Sequence, residues 1–159
     1  MLMHDSKVIG VGLPCTGNRE LGKALELLGL RVSRNLDELR DYNAAVGINC
    51  PIEEIEDKYP NAQYILTIRD IEIWYEACSK LKKRSLGGFW QHPEYEWQNI
   101  YSARISEARA KCDKLLVLDL SSDEWEPLCF YLDLDVPDIA FPKLVDHCHT
   151  TDQAVSPQA

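Results

Sequence analysis

The chain has 159 residues, 45% of them hydrophobic, enough to bury about two-thirds of its unfolded surface and too apolar for a disordered composition. Its net charge of −9 excludes a general nucleic-acid surface, which needs clustered Lys and Arg; any phosphate site must be built locally from backbone N–H groups and a few placed cations. No apolar run approaches the ~20 residues that cross a bilayer, and the start MLMHDSKVIG has no signal-peptide layout, so the expectation is a cytoplasmic protein without a membrane partner.

Residues 7–12 are almost continuously apolar, which predicts a strand buried on both faces, as in a parallel sheet. From Asn18 to Leu28, the residues Leu21, Ala24, Leu25 and Leu28 share one helical face, and Gly29 is the expected C-cap. Residues 30–33 read as a short extended piece, NLDELRDY as a short helix or turn, and 44–48 as a second short apolar segment stopped by Pro51. IEEIEDK reads as a short acidic helix. QYILTIRD is the strongest strand signal in the chain, rich in β-branched and aromatic residues. It leads into a helix on which Ile71, Trp74 or Tyr75, Cys78 and Leu81 share a face. KKRSLGGFWQHPEYE, with Gly87, Gly88 and Pro93, reads as an irregular loop. A helix carrying Trp97, Ile100, Tyr101, Ile105 and Ala108 follows, then the buried strand KLLVLDL. The last helix has Pro127 in its first turn and Trp125, Leu128, Cys129 and Leu132 inward.

Strands alternating with helices predict a three-layer α/β/α fold with a mainly parallel sheet. One domain over 1–142 is expected, followed by a flexible tail over 143–159. The six cysteines include no C-x-x-C pair and read as small buried hydrophobes in a reducing compartment. His147, Cys148 and His149 lie in the tail without partners at ligand spacing, so no metal is expected.

In such folds ligands bind at the carboxyl ends of strands, where a loop enters a helix. Two places meet that description. The first is GLPCTG, residues 12–17, whose Gly-x-x-x-x-Gly spacing is that of a phosphate-binding loop but which continues with Asn18-Arg19 in place of Lys-Ser/Thr. Backbone N–H groups from Cys15 to Arg19, with Pro14, Thr16, Gly17 and Asn18 around them, would form the anion cradle, aided by the helix dipole. The second is Arg69, at the end of the strongest strand, placed to add a bidentate contact to a second phosphate. An inherited strand-to-helix turn with no ligand is the competing reading of the loop, and a salt bridge to Asp70 or Glu72 that of Arg69. His92 is a candidate acceptor-side base or an exposed turn residue. Trp90, Tyr95 and Trp97 are candidates for an acceptor pocket or for helix packing.

Three segments, in order, resemble the sulfotransferase-like P-loop family: KVIGVGLPCTGNRELGKALELLGL, YPNAQYILTIRDIEIWYEAC, and LLVLDLSSDEWEPLCFYLDLDVPDIAFP. They span about residues 7–142. The resemblance implies sulfuryl transfer from PAPS (3′-phosphoadenylyl sulfate), leaving PAP, to an unknown small-molecule acceptor. In that family the first loop grips the 5′-phosphosulfate, and the Arg at Arg69's position, with a Ser eight residues on, grips the 3′-phosphate. Such catalysis rests on positioning and electrostatic clamps. Gly12, Leu13, Pro14, Thr16, Gly17, Leu21, Arg69, Asp70, Trp74 and Tyr75 match the family pattern. Cys15 stands in place of the loop's basic residue, and Asn18-Arg19-Glu20 in place of Thr-Thr-Ser. Ala77 replaces the Ser, with Ser79 two residues further on, and Asn49 replaces an acidic residue seen in some relatives. Arg19 is the expected replacement cation. The alternative is a catalytically inactive relative kept as a binding or assembly module, with a homodimer among its uses.

Overall fold

The computed structural model describes residues 6–81 and 88–143. Residues 82–87 of the expected irregular loop lie outside it, as does the expected tail beyond Lys143 with His147, Cys148 and His149. Five strands form one parallel sheet: β1 (Val8–Gly10), β2 (Val32–Ser33), β3 (Ala44–Ala45), β4 (Gln63–Ile68) and β5 (Leu115–Asp119), in the order β2-β3-β1-β4-β5. β1 pairs Val8 with Ala44 on one side and with Gln63 on the other. Its three residues are fully buried because strands flank both edges and helices cover both faces.

Among the described residues, five helices complete the layers: α1 (Asn18–Leu27), α2 (Ile52–Lys58), α3 (Ile71–Leu81), α4 (Glu94–Lys111) and α5 (Trp125–Leu132). Short 3-10 turns lie at Leu36–Asp41 and Gly88–Gln91. α1 ends where Gly29 takes φ +94° and the Leu30 N–H donates to the Leu25 carbonyl, a closure that a side chain with Cβ would strain. Period-two alternation divides the sheet's side chains. Val8, Ala44, Ile65 and Leu118 pack against Leu21, Leu25, Leu128 and Leu132 of α1 and α5. Ile9, Ala45, Tyr64 and Leu66 pack against Ile52 and Ile55 of α2 and Ala108 of α4. Each fully buried Leu or Ile in these layers contributes about 1.5–3 kcal/mol relative to exposure. A third cluster joins Leu13 and Cys15 to Trp74, Cys78, Phe89, Trp97 and Tyr101.

The connection after β1 enters α1 on one face, whereas those after β3 and β4 lead to helices on the other. A crevice therefore opens at the carboxyl end of β1. No helix among the described residues is long and apolar enough to cross a membrane.

Candidate functional site

The loop of residues 12–17 occupies that crevice and is held by its carbonyl oxygens. The Asn18 side-chain amide donates to the Gly12 and Leu13 carbonyls, at 3.1 Å each. Thr16 Oγ1 donates to the Leu13 carbonyl at 2.7 Å. Trp74 Nε1 donates to the Pro14 carbonyl at 2.8 Å, and Arg69 Nη1 to the Cys15 carbonyl at 2.9 Å. In a trans peptide the N–H of the next residue points opposite the carbonyl. With these oxygens held by Thr16, Asn18, Trp74 and Arg69, the N–H groups of Leu13, Cys15 and Thr16 point away from those partners. Two positive-φ residues make the turn, Cys15 at 67° and Gly17 at 111°; glycine adopts such a conformation at no steric cost and cysteine at some.

Packing beneath the loop is tight. A Cβ on Gly12 would lie 2.0 Å from Thr67 Oγ1 and 2.7 Å from Thr16 Oγ1. Those two hydroxyls are themselves 2.7 Å apart, and Thr67 Oγ1 also donates to Asn18 Oδ1 at 3.4 Å. Asn18 thus bonds back into the loop from the position where a phosphate-binding lysine would otherwise stand. Gly17 is closed in by Leu120, 2.7 Å from the point its Cβ would occupy. Glu20 is buried in the first turn of α1, with Oε1 3.7 Å from that same point. Cys15 places its side chain in the apolar third cluster.

Arg69 is fixed at its backbone as well. Tyr101 Oη accepts from the Arg69 N–H at 3.1 Å and donates to the Arg69 carbonyl at 2.5 Å. Burial pushes the Tyr101 hydroxyl above its ordinary pKa, so it keeps the proton it donates. Asp70 caps α3 through the Glu72 and Ile73 N–H groups, at 3.0 and 3.1 Å, and so starts the helix that delivers Trp74 to Pro14. Trp74 packs at a tilt against Tyr101, with ring centroids 4.6 Å apart, and against Phe89 at 5.8 Å. Phe89 in turn meets Trp90 and Trp97. Trp97 is buried in this cluster, whereas Tyr95 is 82% exposed.

Arg104 is 7% exposed on the inner face of α4. It donates to the carbonyls of Val11 at 2.9 Å, Ile48 at 2.9 Å and Cys50 at 3.0 Å, and pairs with Glu107 at 2.8 Å. Glu107 Oε2 accepts from the Ile52 N–H at 2.9 Å and so caps α2. One ion pair thereby ties the exits of β1 and β3 to two helices. Asn49, between the Arg104-bound carbonyls of Ile48 and Cys50, is exposed.

Pro14, Cys15, Thr16, Gly17, Asn18 and Arg69 come together as one unit. The other candidates stand apart from it. Arg19, although adjacent to Asn18, lines a pocket with Gly22, Lys23, Glu26, Val32 and Arg34 on the β2 side of α1. His92 is half-exposed and pairs with Glu96 at 3.5 Å. Neither His92 nor Ser79 is hydrogen-bonded to the loop among the described residues. Sequence reasoning did not single out Thr67, Tyr101 and Arg104 as supports of the loop. Thr67 has a signal in the strand word LTIR; Arg104 has none beyond a charged residue at a core-facing position of α4.

A family model described as a sulfotransferase domain matches residues 33–101 and 86–149, together more than half of the chain. The match starts beyond the loop of residues 12–17. No curated protein matches the chain in sequence. Among solved structures the chain is similar to mouse sulfotransferase SULT7A1 complexed with PAP, at 11% identity and a TM-score of 0.64. That match covers 98% of this chain and 66% of the mouse chain, just under two thirds of its length. At that identity the likeness is one of fold.

Proposed function

The chain belongs to the sulfotransferase domain family, and from that premise we propose that it binds PAPS and transfers its sulfuryl group to a small acceptor. The observation that supports this reading is the anchoring of the loop carbonyls from Gly12 to Cys15 by Asn18, Trp74 and Arg69, which turns the intervening peptide N–H groups away from those anchors at the start of α1. This donor set fits a phosphosulfate: backbone N–H groups and a helix dipole favour an anion without needing a positive net charge. PAPS, when bound, supplies the activated sulfuryl group. The Thr16 and Cys15 N–H groups would hold the sulfate end, and the dipole of α1 would favour the charge on its oxygens. Arg69, tied to the Cys15 carbonyl, keeps a cation at the rim, where it would take the 3′-phosphate. No side-chain cation stands at position 15, and the loss of one such transition-state contact commonly costs about 3 kcal/mol or more. A slow transferase is therefore expected.

A second reading, a binding module that holds the nucleotide without turning it over, is favoured by Glu20. A carboxylate buried beside Gly17 repels an anion on the loop. Thermal-shift titration with PAP, ATP, GTP and sulfate tests nucleotide binding. A ligand at 100 times its Kd adds about 2.7 kcal/mol, or roughly 5–10 °C in a domain of this size. A shift with PAP alone is expected; no shift with PAP refutes both readings. Transfer of labelled sulfate from PAPS, to water or to a panel of hydroxyl and amine acceptors, separates the enzyme from the module.

A further inference from the structure

The Asn18 side chain is an amide with two donor hydrogens and one acceptor oxygen, and its neighbours match that inventory. Nδ2 donates to the carbonyls of Gly12 and Leu13, six and five residues earlier in the chain, and Oδ1 faces Thr67 Oγ1 at 3.4 Å. We propose that Asn18 and Thr67 are positioning residues: without touching the ligand, they hold the loop of residues 12–17 in its binding form before the ligand arrives. The proposal rests on the reading of that loop as a phosphosulfate cradle.

Local chain preference works against that form. Gly12 and Gly17 bound the loop, and glycine loses more backbone freedom on ordering than any other residue. Between them Cys15 holds φ 67°, a conformation that persists in a non-glycine residue only when its surroundings over-determine it. Gly17, at the start of α1, brings no side-chain cap of its own. The carbonyls in the second half of the loop, Pro14 and Cys15, are fixed by Trp74 and Arg69. Those in the first half are fixed by Asn18, with Thr16 sharing the Leu13 carbonyl.

The hydroxyls complete the arrangement. Thr16 is 2% and Thr67 1% exposed, and their oxygens are 2.7 Å apart. Their two hydrogens serve three contacts: with the Leu13 carbonyl, with Asn18 Oδ1 and with each other. The two amide hydrogens of Asn18, by contrast, have one carbonyl each, so the amide sets the orientation and the hydroxyls follow it. Thr67 ties the set to the sheet, because it lies in β4 and pairs with Leu118 of β5. Its Oγ1 is 2.0 Å from the point a Gly12 Cβ would occupy, so the loop rests directly on it. No other side chain of this size supplies the same groups: Asp has acceptors without donors, Leu has neither, and Thr has a single hydrogen. With both amide hydrogens on loop carbonyls, Asn18 has none to offer a phosphosulfate. Its contribution to affinity is a loop already ordered when the ligand binds.

The test is amide nitrogen relaxation of the ligand-free full chain, read at Leu13, Cys15 and Thr16, in wild type, Asn18→Leu, Thr67→Val and Thr67→Ser. Expected in wild type are order parameters near the rigid-backbone value of about 0.85, falling below about 0.6 in Asn18→Leu. Thr67→Val should lie between the two, and Thr67→Ser, which keeps the hydroxyl, should return to the wild-type value. Calorimetric titration with PAP, at a temperature where every variant is folded, should show affinity about tenfold weaker in Asn18→Leu, with the loss in the entropy. A residue that only stabilises the fold would lower the melting temperature and leave that affinity in place. Order parameters unchanged in Asn18→Leu or in Thr67→Val, or a loop already mobile in wild type, overturn the proposal. A chain that binds no PAP in any form refutes the sulfotransferase reading, and the ligand-free order parameters still decide the positioning roles.

Discussion

Replacing Arg104 by Met keeps most of the apolar stem and removes the guanidinium. Four hydrogen bonds are lost: those to the Val11, Ile48 and Cys50 carbonyls and to Glu107. Each hydrogen bond to a charged group contributes about 1.5–3 kcal/mol, but the four share one desolvated cation and are not additive. Breaking a buried ion pair by removing one partner costs about 3–5 kcal/mol, and that is the expected loss. At roughly 2–4 °C per kcal/mol for a domain of this size, the melting temperature should fall by about 6–20 °C. Urea unfolding is the assay, with an unchanged slope confirming that the stability difference lies in the native state. Glu107→Gln, which keeps an amide oxygen for either the Ile52 N–H or Arg104, should cost about half as much. A loss below about 1 kcal/mol for Arg104→Met at constant slope refutes the reasoning, because it would mean that water replaces the guanidinium without penalty.

Three further outcomes are expected. Gly12→Ala forces a methyl onto the Thr16–Thr67 pair, so about 3 kcal/mol of stability should go with it, and the PAP thermal shift should vanish; a variant as stable as wild type contradicts the packing described. Tyr101→Phe leaves the Arg69 backbone N–H without its acceptor, at a cost of about 1–3 kcal/mol, and should weaken PAP binding measured calorimetrically, through looser placement of Arg69. The third outcome concerns alkaline pH. Burial raises the Cys112 thiol from 9.0 to about 11, and raises Cys50 and Cys129 as well. Between pH 9 and 11 the unfolded chain therefore releases thiol protons that the folded chain keeps, and stability falls as pH rises. Denaturation midpoints across that range should decline, and less steeply in Cys112→Ala; an equal slope in the variant assigns the decline to other groups.

Most of the layers were legible in the sequence because burial leaves a period. QYILTIRD reads as the strand it is, and Trp125, Leu128, Cys129 and Leu132 are all inward on α5. The turn through residues 12–17 is written in its glycines. Other features have no local signature. β2 and β3 are two residues each, and Ala44-Ala45 has little strand preference of its own; pairing with β1 fixes it. Arg104 sits on the apolar stripe of a helix as an apparent flaw in its pattern. It becomes explicable only when chain closure brings carbonyls 93, 56 and 54 residues away to its fork. The side of α1 that Arg19 occupies depends on where β2 ends, which the helix's own residues do not encode.

The position of β1 has a consequence for how the molecule assembles. Of the sheet's five strands, the one made first is the middle one, and neither neighbour, β3 or β4, exists when it emerges. Its apolar residues must wait for partners about 36 and 55 positions downstream, so every native ladder involving β1 closes a long loop. Folding should then be late and concerted during synthesis, with residues 8–11 presenting an unpaired hydrophobic edge in the meantime. Removing that strand would split the sheet into two unconnected pairs, β2-β3 and β4-β5. The segment that holds the loop's geometry is thus also the one whose docking decides whether the two halves of the sheet become one.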